Sequence, residues 1–321
     1  MLTCSNPNNE LFGLAKGRRL AGDFQYGGQA IIEGVMIRGK KAITSAVRCP
    51  DGEIIVHTES PKSLVQTYRW LRFPFLRGAP ALIDALRIGY RALTYSANVA
   101  MEAEGEKPPS QLYYIVSFAG AFVLGIGLFV VLPNLLLQPL HRQHSITKNL
   151  LEGLVKLAFF IGYVLMISRW EHVKRIFRYH GAEHMVINAF ERGREISVES
   201  AKEYDTVHVR CGSSFVMLVL FVAIVVHCLV GWPKWYYAIP LRILLLIPIA
   251  GISYEIMKLA ASPRASWLIH IITAPGLWLQ RLTTGKPSDD QIEVAIAALN
   301  GVLKAEAEMA ESADSVAAEK S

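Results

Sequence analysis

Residues 112–132 read LYYIVSFAGAFVLGIGLFVVL, a run of 21 positions without a charged side chain. A helix rises about 1.5 Å per residue, so this run is about 30 Å long, the thickness of a bilayer's hydrocarbon core. Three further apolar runs follow. Residues 151–168 carry Glu152 and Lys156 in their first turns, where long side chains can snorkel to the interface. Residues 213–232 are interrupted by His227, and 236–257 carry Arg242 near one end. Trp232, Trp235, Tyr236 and Tyr237 gather between the last two runs, where an interfacial aromatic belt belongs. The expected fold class is therefore a mainly α membrane protein with about four transmembrane helices. An apolar content of 52% and a mean hydropathy of +0.30 agree, both being high for a water-soluble chain.

Charge orients the runs. Of 33 Lys and Arg residues, 14 precede the first run and eight lie between 169 and 212. Residues 133–150 hold two, and 232–235 hold one. Positive residues favour the cytoplasmic side. The expected arrangement is a multi-pass protein of the cell's inner (plasma) membrane, with both termini and the 169–212 loop in the cytoplasm. The formal charge of +6 then points to membrane lipid as a partner. No basic stripe interleaved with aromatic residues points to nucleic acid. Cys4, Cys49, Cys211 and Cys228 form no CxxC pair, so reduced thiols are expected rather than a disulfide framework.

Ahead of the first run, residues 1–25 read as a flexible leader without the apolar core of a cleaved signal peptide. Residues 29–37, 42–49 and 53–58 are rich in Ile and Val. Breaks at Gly39-Lys40-Lys41 and Pro50-Asp51-Gly52 separate them, which predicts a small N-terminal β-meander of three strands. Three short strands need a cover. From Ser63 the period becomes helical: one helix is stopped by Pro74, and a basic amphipathic one runs over 76–103. The latter either lies in the membrane interface or packs on the meander. These pieces make a cytoplasmic unit over 26–110. The membrane domain covers 111–285. Its 265–280 stretch, broken by Pro275, is short for a crossing and reads as re-entrant or interfacial. In 286–321, Ser288-Asp289-Asp290 caps a helix whose Ile292, Ile296, Leu299 and Leu303 share a face, and a disordered tail follows.

The chemistry gathers at His180-Gly181-Ala182-Glu183-His184, an H-x-x-E-H pattern. Imidazoles at i and i+4 share a helix face and can bind one Zn²⁺ or another divalent ion. The carboxylate beside them can act as general base for a metal-bound water. The second run is expected to continue past Arg169 as one helix ending at Gly193. A catalytic zinc takes three protein ligands. The topology brings His208 and Cys211, spaced H-x-x-C, and Glu255 to the same end of the spans. Each has a plainer reading: Glu183 paired with Arg178 or Arg192, Glu255 with Lys258, His208 an ordinary loop residue, and Cys211 a buried core thiol. Glu33, an acid in an apolar strand, either faces solvent or is a buried carboxylate meant for the site. His227 reads as an interhelical hydrogen-bond partner.

Several stretches resemble a known family. Gly27-Gly28-Gln29-Ala30-Ile31-Ile32-Glu33-Gly34-Val35-Met36-Ile37-Arg38-Gly39 resembles the opening motif of the YqhQ-like bacterial membrane proteins, which are predicted to be metal-dependent. Tyr179–His184, His208–Phe215, Ala250–Glu255 and Pro275–Thr284 resemble its later motifs, in order. The resemblance implies that Glu33, His180, Glu183, His184, His208, Cys211 and Glu255 travel together. The link to inverted zinc proteases rests on five residues, and their soluble fold is not what these spans make.

The expected function is a membrane-embedded, zinc-dependent hydrolase. His180 and His184 bind the ion; His208, Cys211 or Glu255 completes the set; Glu183, with Glu33, supplies the catalytic carboxylates. The substrate would be a membrane protein, a peptide or a lipid. The alternative is a non-enzymatic, metal-stabilised membrane scaffold or assembly factor. A transporter is disfavoured because no inverted repeat is visible.

Overall fold

A computed structural model describes residues 26–60, 67–68, 71, 73–137, 145–231, 235–262 and 266–318. The leader, most of the helix expected before Pro74, and Trp232 lie outside the described residues. Strands β1 (Gly27–Ile31), β2 (Gly34–Arg38), β3 (Ile43–Arg48) and β4 (Ile54–Glu59) form one antiparallel sheet in sequence order. The meander thus has four strands rather than three. The extra strand arises because the first apolar run folds back on itself: Ile31 pairs with Gly34, and Glu33 between them has φ of 51°. A non-glycine residue in the left-handed region is uncommon, and Ile32-Glu33 carries none of the usual hairpin signals. The Arg48 N–H donates to Glu33 O at 2.8 Å and anchors the turn to β3.

The helices are α1 (Gly78–Ala103), α2 (Gln111–Leu136), α3 (Ser145–Ile167), α4 (Glu171–Glu191), α5 (Val198–Lys202), α6 (Gly212–Val230), α7 (Trp235–Ala260), α8 (Trp267–Thr283) and α9 (Asp289–Ala318). Both faces of the sheet are covered. On one, α1 lays Ile88 and Ala92 against Ile31, Met36, Ile43 and Val47. On the other, Tyr179 and Val186 of α4 and Ile292, Leu299 and Val302 of α9 close over Val35, Ile37 and Ala46. The helix that stabilises the N-terminal meander therefore comes from the far end of the chain. The amphipathic α1 packs on the meander through Ile88 and Ala92 and leaves Leu82, Ile83 and Leu86 exposed.

Among the described residues, four helices are long and apolar enough to cross a membrane: Gln111–Leu136, Ile146–Ile167, Gly212–Val230 and Ile239–Ala260. Their large apolar side chains, Val123, Leu124, Leu229 and Leu244 among them, face outward. Such a surface suits lipid and not water. Inside the bundle, Gly153 of α3 sits so close to α6 that a Cβ there would lie 2.3 Å from Ile224 Cγ1. Small residues let membrane helices approach in this way.

Two expectations for the connecting segments change. α3 and α4 are separate helices, parted at Ser168-Arg169-Trp170, with extended backbone at Trp170 starting the second. α8 runs unbroken through Pro275 and packs on α6, where a Cβ on Gly276 would lie 2.8 Å from Ser214 Cα. The end of α4 is as expected. Gly193, at φ of 68°, donates to Phe190 O at 2.9 Å, and Arg194 donates to Ala189 O at 3.1 Å. That pair of bonds is the Schellman ending that a C′ glycine permits.

Candidate metal centre

Gly181 costs a helix about 1 kcal/mol relative to Ala. Its use lies in what passes beside it: a Cβ on Gly181 would stand 2.1 Å from Gly285 O. The chain leaving α8 lies flat on α4 there, and Gly285 N–H donates to Phe177 O at 2.8 Å. This contact puts Thr283 O within 2.9 Å of His180 Nδ1. One turn later, His184 Nδ1 lies 2.5 Å from Thr206 O. A carbonyl only accepts, so in each ring Nδ1 carries a proton, and the tautomer this selects in a neutral ring is the one with its lone pair on Nε2. His180 Nε2 is 3.1 Å from Cys211 Sγ.

Ligand atoms of His180, His184 and Cys211 lie within 4.8 Å of one another, the one such group among the described residues. Donors around a tetrahedral zinc sit roughly 3.3–3.8 Å apart, so shifts of about 1 Å would seat an ion. Imidazoles tied through Nδ1 to carbonyls have the orientation that metal-bound histidines need. Three donors leave a fourth position for water or substrate.

Glu183 is buried beside them. Its Oε1 accepts from Gly28 N–H at 2.9 Å, and its Oε2 lies 3.7 Å from His184 Nε2. Gly28 must be glycine for this: a Cβ there would meet Met36 O at 2.2 Å and Glu183 Cγ at 3.1 Å. The plainer partners of Glu183 are engaged elsewhere, Arg178 with Glu171 and Arg192 over the Tyr204 ring.

Cys211 caps α6, with Ser213 N–H 3.4 Å from its sulfur. The preceding turn is held by Gln280, which is completely buried. The Gln280 side chain accepts from His208 N–H at 2.8 Å and donates to His208 O at 2.8 Å and to Ser214 Oγ at 2.6 Å. His208 itself stands at the edge of the group. Its ring centroid is 5.6 Å from that of His184, and its Nε2 is 3.5 Å from Glu191 Oε2. Burial works to raise the Glu191 carboxyl, but hydrogen bonds from His208 and Arg210 outweigh it and hold the group below the usual range.

Two sequence candidates are not brought to the centre. Glu255 accepts a forked pair from Arg77, at 2.7 Å from Nε and 2.5 Å from Nη2, and a third bond from Phe75 N–H. An ion pair is its role, though with Arg77 rather than the expected Lys258. Glu33, on its hairpin turn, pairs with Arg175 at 2.5 Å and accepts from Tyr179 OH at 3.4 Å. It pins the sheet to α4 and is not a buried carboxylate of the site. Conversely, Gln280, Thr283 and Thr206 hold the centre together and carry no spacing signature; their one signal is that the first two fall within the 275–284 motif.

A cavity of about 490 Å³ opens onto the centre, lined by Glu183, His184 and Cys211 together with Ile88, Tyr254 and Met257. Comparison with known proteins agrees with the motif resemblance. A family described as a protein of unknown function, DUF1385, matches residues 73–305. The uncharacterized protein YqhQ of Bacillus subtilis (strain 168) is 35% identical over 301 residues, spanning 88% of this chain and 93% of its own length. No solved structure matches.

Proposed function

The chain belongs to the DUF1385 family, and from that premise we propose that it is a membrane-embedded, metal-dependent hydrolase. The ion is Zn²⁺, held by His180, His184 and Cys211, and the work is done at the cytoplasmic face of the inner membrane. The observation that carries the reading is the pair of carbonyl contacts, His180 to Thr283 and His184 to Thr206, which engage Nδ1 of each ring and leave Nε2 as the ligand atom, with a sulfur 3.1 Å from that of His180. A set of two imidazoles and one thiolate suits zinc. The ion would supply Lewis acidity toward a carbonyl or phosphoryl oxygen. Glu183, held by Gly28 N–H, would take the proton from the attacking water. The apolar side chains of Ile88 and Met257 in the cavity lining favour a substrate drawn from the membrane: a membrane protein, a peptide or a lipid. The concentration of Lys and Arg around the sheet and the 169–212 segment favours the cytoplasmic side.

A metal-stabilised scaffold is the second reading, because the same three ligands join α4 to the start of α6. Metal analysis of the purified full-length protein and of His180→Ala tests both. One zinc per chain, lost in the variant, is expected; no metal in either protein overturns both readings. Glu183→Gln then separates them. If the variant keeps its metal and fails to rescue a deletion strain, the enzyme reading stands. Metal and rescue both retained favour the scaffold.

A further inference from the structure

A second polar centre lies at the opposite end of the spans. Lys148, Asn149 and Glu152 occupy the first turns of α3, and Lys156 follows one turn on. His227 is near the end of α6, and Arg242 near the start of α7. His227 stands about 24 Å along its helix from Cys211, so this centre is remote from the metal ligands. Exposure is 3% at Lys148, 1% at Asn149 and Glu152, 8% at His227 and 5% at Arg242. Glu152 holds two cations, Lys156 at 2.8 Å on Oε1 and Arg242 on Oε2. Arg242 also donates to Asn149 Oδ1 at 3.3 Å. Lys156 and Arg242 lie within electrostatic range of His227, as Glu152 and Arg242 do of Lys148.

The charges do not balance. Glu152 is the single Asp or Glu in residues 107–170, and residues 206–254 hold none. The spans and the segments joining them at that end therefore offer no second carboxylate to three cations. Lys148, Lys156 and Arg242 outnumber the acids of these segments by two, and burying net charge is costly. Hydrogen bonding leans the same way. Asn149 Nδ2 and His227 Nε2 are buried without a partner, as is Nδ2 of Asn134, in the last turn of α2, which packs on α3. An amide nitrogen only donates. Surplus donors together with surplus positive charge call for an acceptor that is itself an anion.

We propose that the buried cluster of Lys148, Asn149, Lys156, His227 and Arg242 binds a phosphate group. A phosphate monoester brings about −1.5 to −2 charges and three acceptor oxygens, which matches both deficits at once. A lipid headgroup and free inorganic phosphate offer the same chemistry. Glu152 serves as the internal counter-ion that fixes Lys156 and Arg242 in place.

The test uses full-length protein, stripped of lipid in detergent, and two probes. One is labelled inorganic phosphate; the other is phosphatidylcholine vesicles with or without phosphatidic acid, into which the protein is reconstituted, with bound lipid read by native mass spectrometry. One phosphate-bearing molecule per chain is expected. Retention of phosphatidic acid alone assigns a lipid headgroup; binding of inorganic phosphate, and displacement of the lipid by it, assigns the soluble source. Lys156→Met and Asn149→Leu should each weaken binding about tenfold. Asn149→Leu keeps every charge, so it carries the test if the lysine variant fails to fold. Binding of neither probe, or binding that both weakening variants leave unchanged, overturns the proposal.

Discussion

The two ends of the spans treat buried polar groups in opposite ways. Around His180, His184 and Cys211, side chains meet backbone: Thr283 O, Thr206 O and Gly28 N–H each fix one group, and Gln280 clamps the turn before the cysteine. Around Glu152, side chains meet one another, and donors are left over. Lone pairs are in surplus at the first end, positive charge at the second. Burial of polar residues is common to both; the sign of what is left unmatched is the ground for proposing a cation at one end and an anion at the other. Backbone clamping also makes the first end stiff, because each clamp comes from a different part of the chain.

That contrast can be broken most severely at Gly181. Gly181→Ala would drive a carbon to 2.1 Å from Gly285 O, forcing the 283–285 segment off α4. A loss of about 3 kcal/mol and of bound metal is expected, read by thermal unfolding and metal analysis. Gly27→Ala, at a position where a Cβ meets nothing within 4 Å, is the matched control and should change neither. Gln280→Leu comes next. It strands His208 N–H and O in a dry site, so about 2 kcal/mol should go, and metal affinity should fall about tenfold or more. Arg77→Gln should do least. It breaks a partly exposed pair worth about 1 kcal/mol, and metal content should be unchanged. Metal lost in Arg77→Gln would bring Glu255 back as a ligand.

How far the sequence reaches follows from the range of the contacts. The four spans were legible because length and apolarity are local properties. His180 and His184 were legible because a helix repeats every 3.6 residues. Cys211 could be proposed as a third ligand, alongside His208 and Glu255, because topology brings all three to one end; side-chain geometry groups Cys211 with His180 and His184. Glu255 and Glu33 look like site carboxylates until their partners appear, and Arg77 and Arg175 lie 178 residues before the one and on α4 for the other. The fourth strand was hidden because a glutamate holds the left-handed turn position where Asn or Gly is expected. Thr206 was invisible, and Thr283 was marked only by its place in the 275–284 motif, because both act through carbonyls, which every residue has. Gly181 was readable only as a weakness in the helix, while in the fold it is the door through which Thr283 reaches His180.

The most direct measurement is X-ray absorption at the metal edge of the purified full-length protein, compared with Cys211→Ser. The account predicts a first shell with two imidazole nitrogens near about 2.0 Å and one sulfur near about 2.3 Å, the sulfur vanishing in the variant. A protein without stoichiometric metal, or a shell that holds no sulfur, would contradict it.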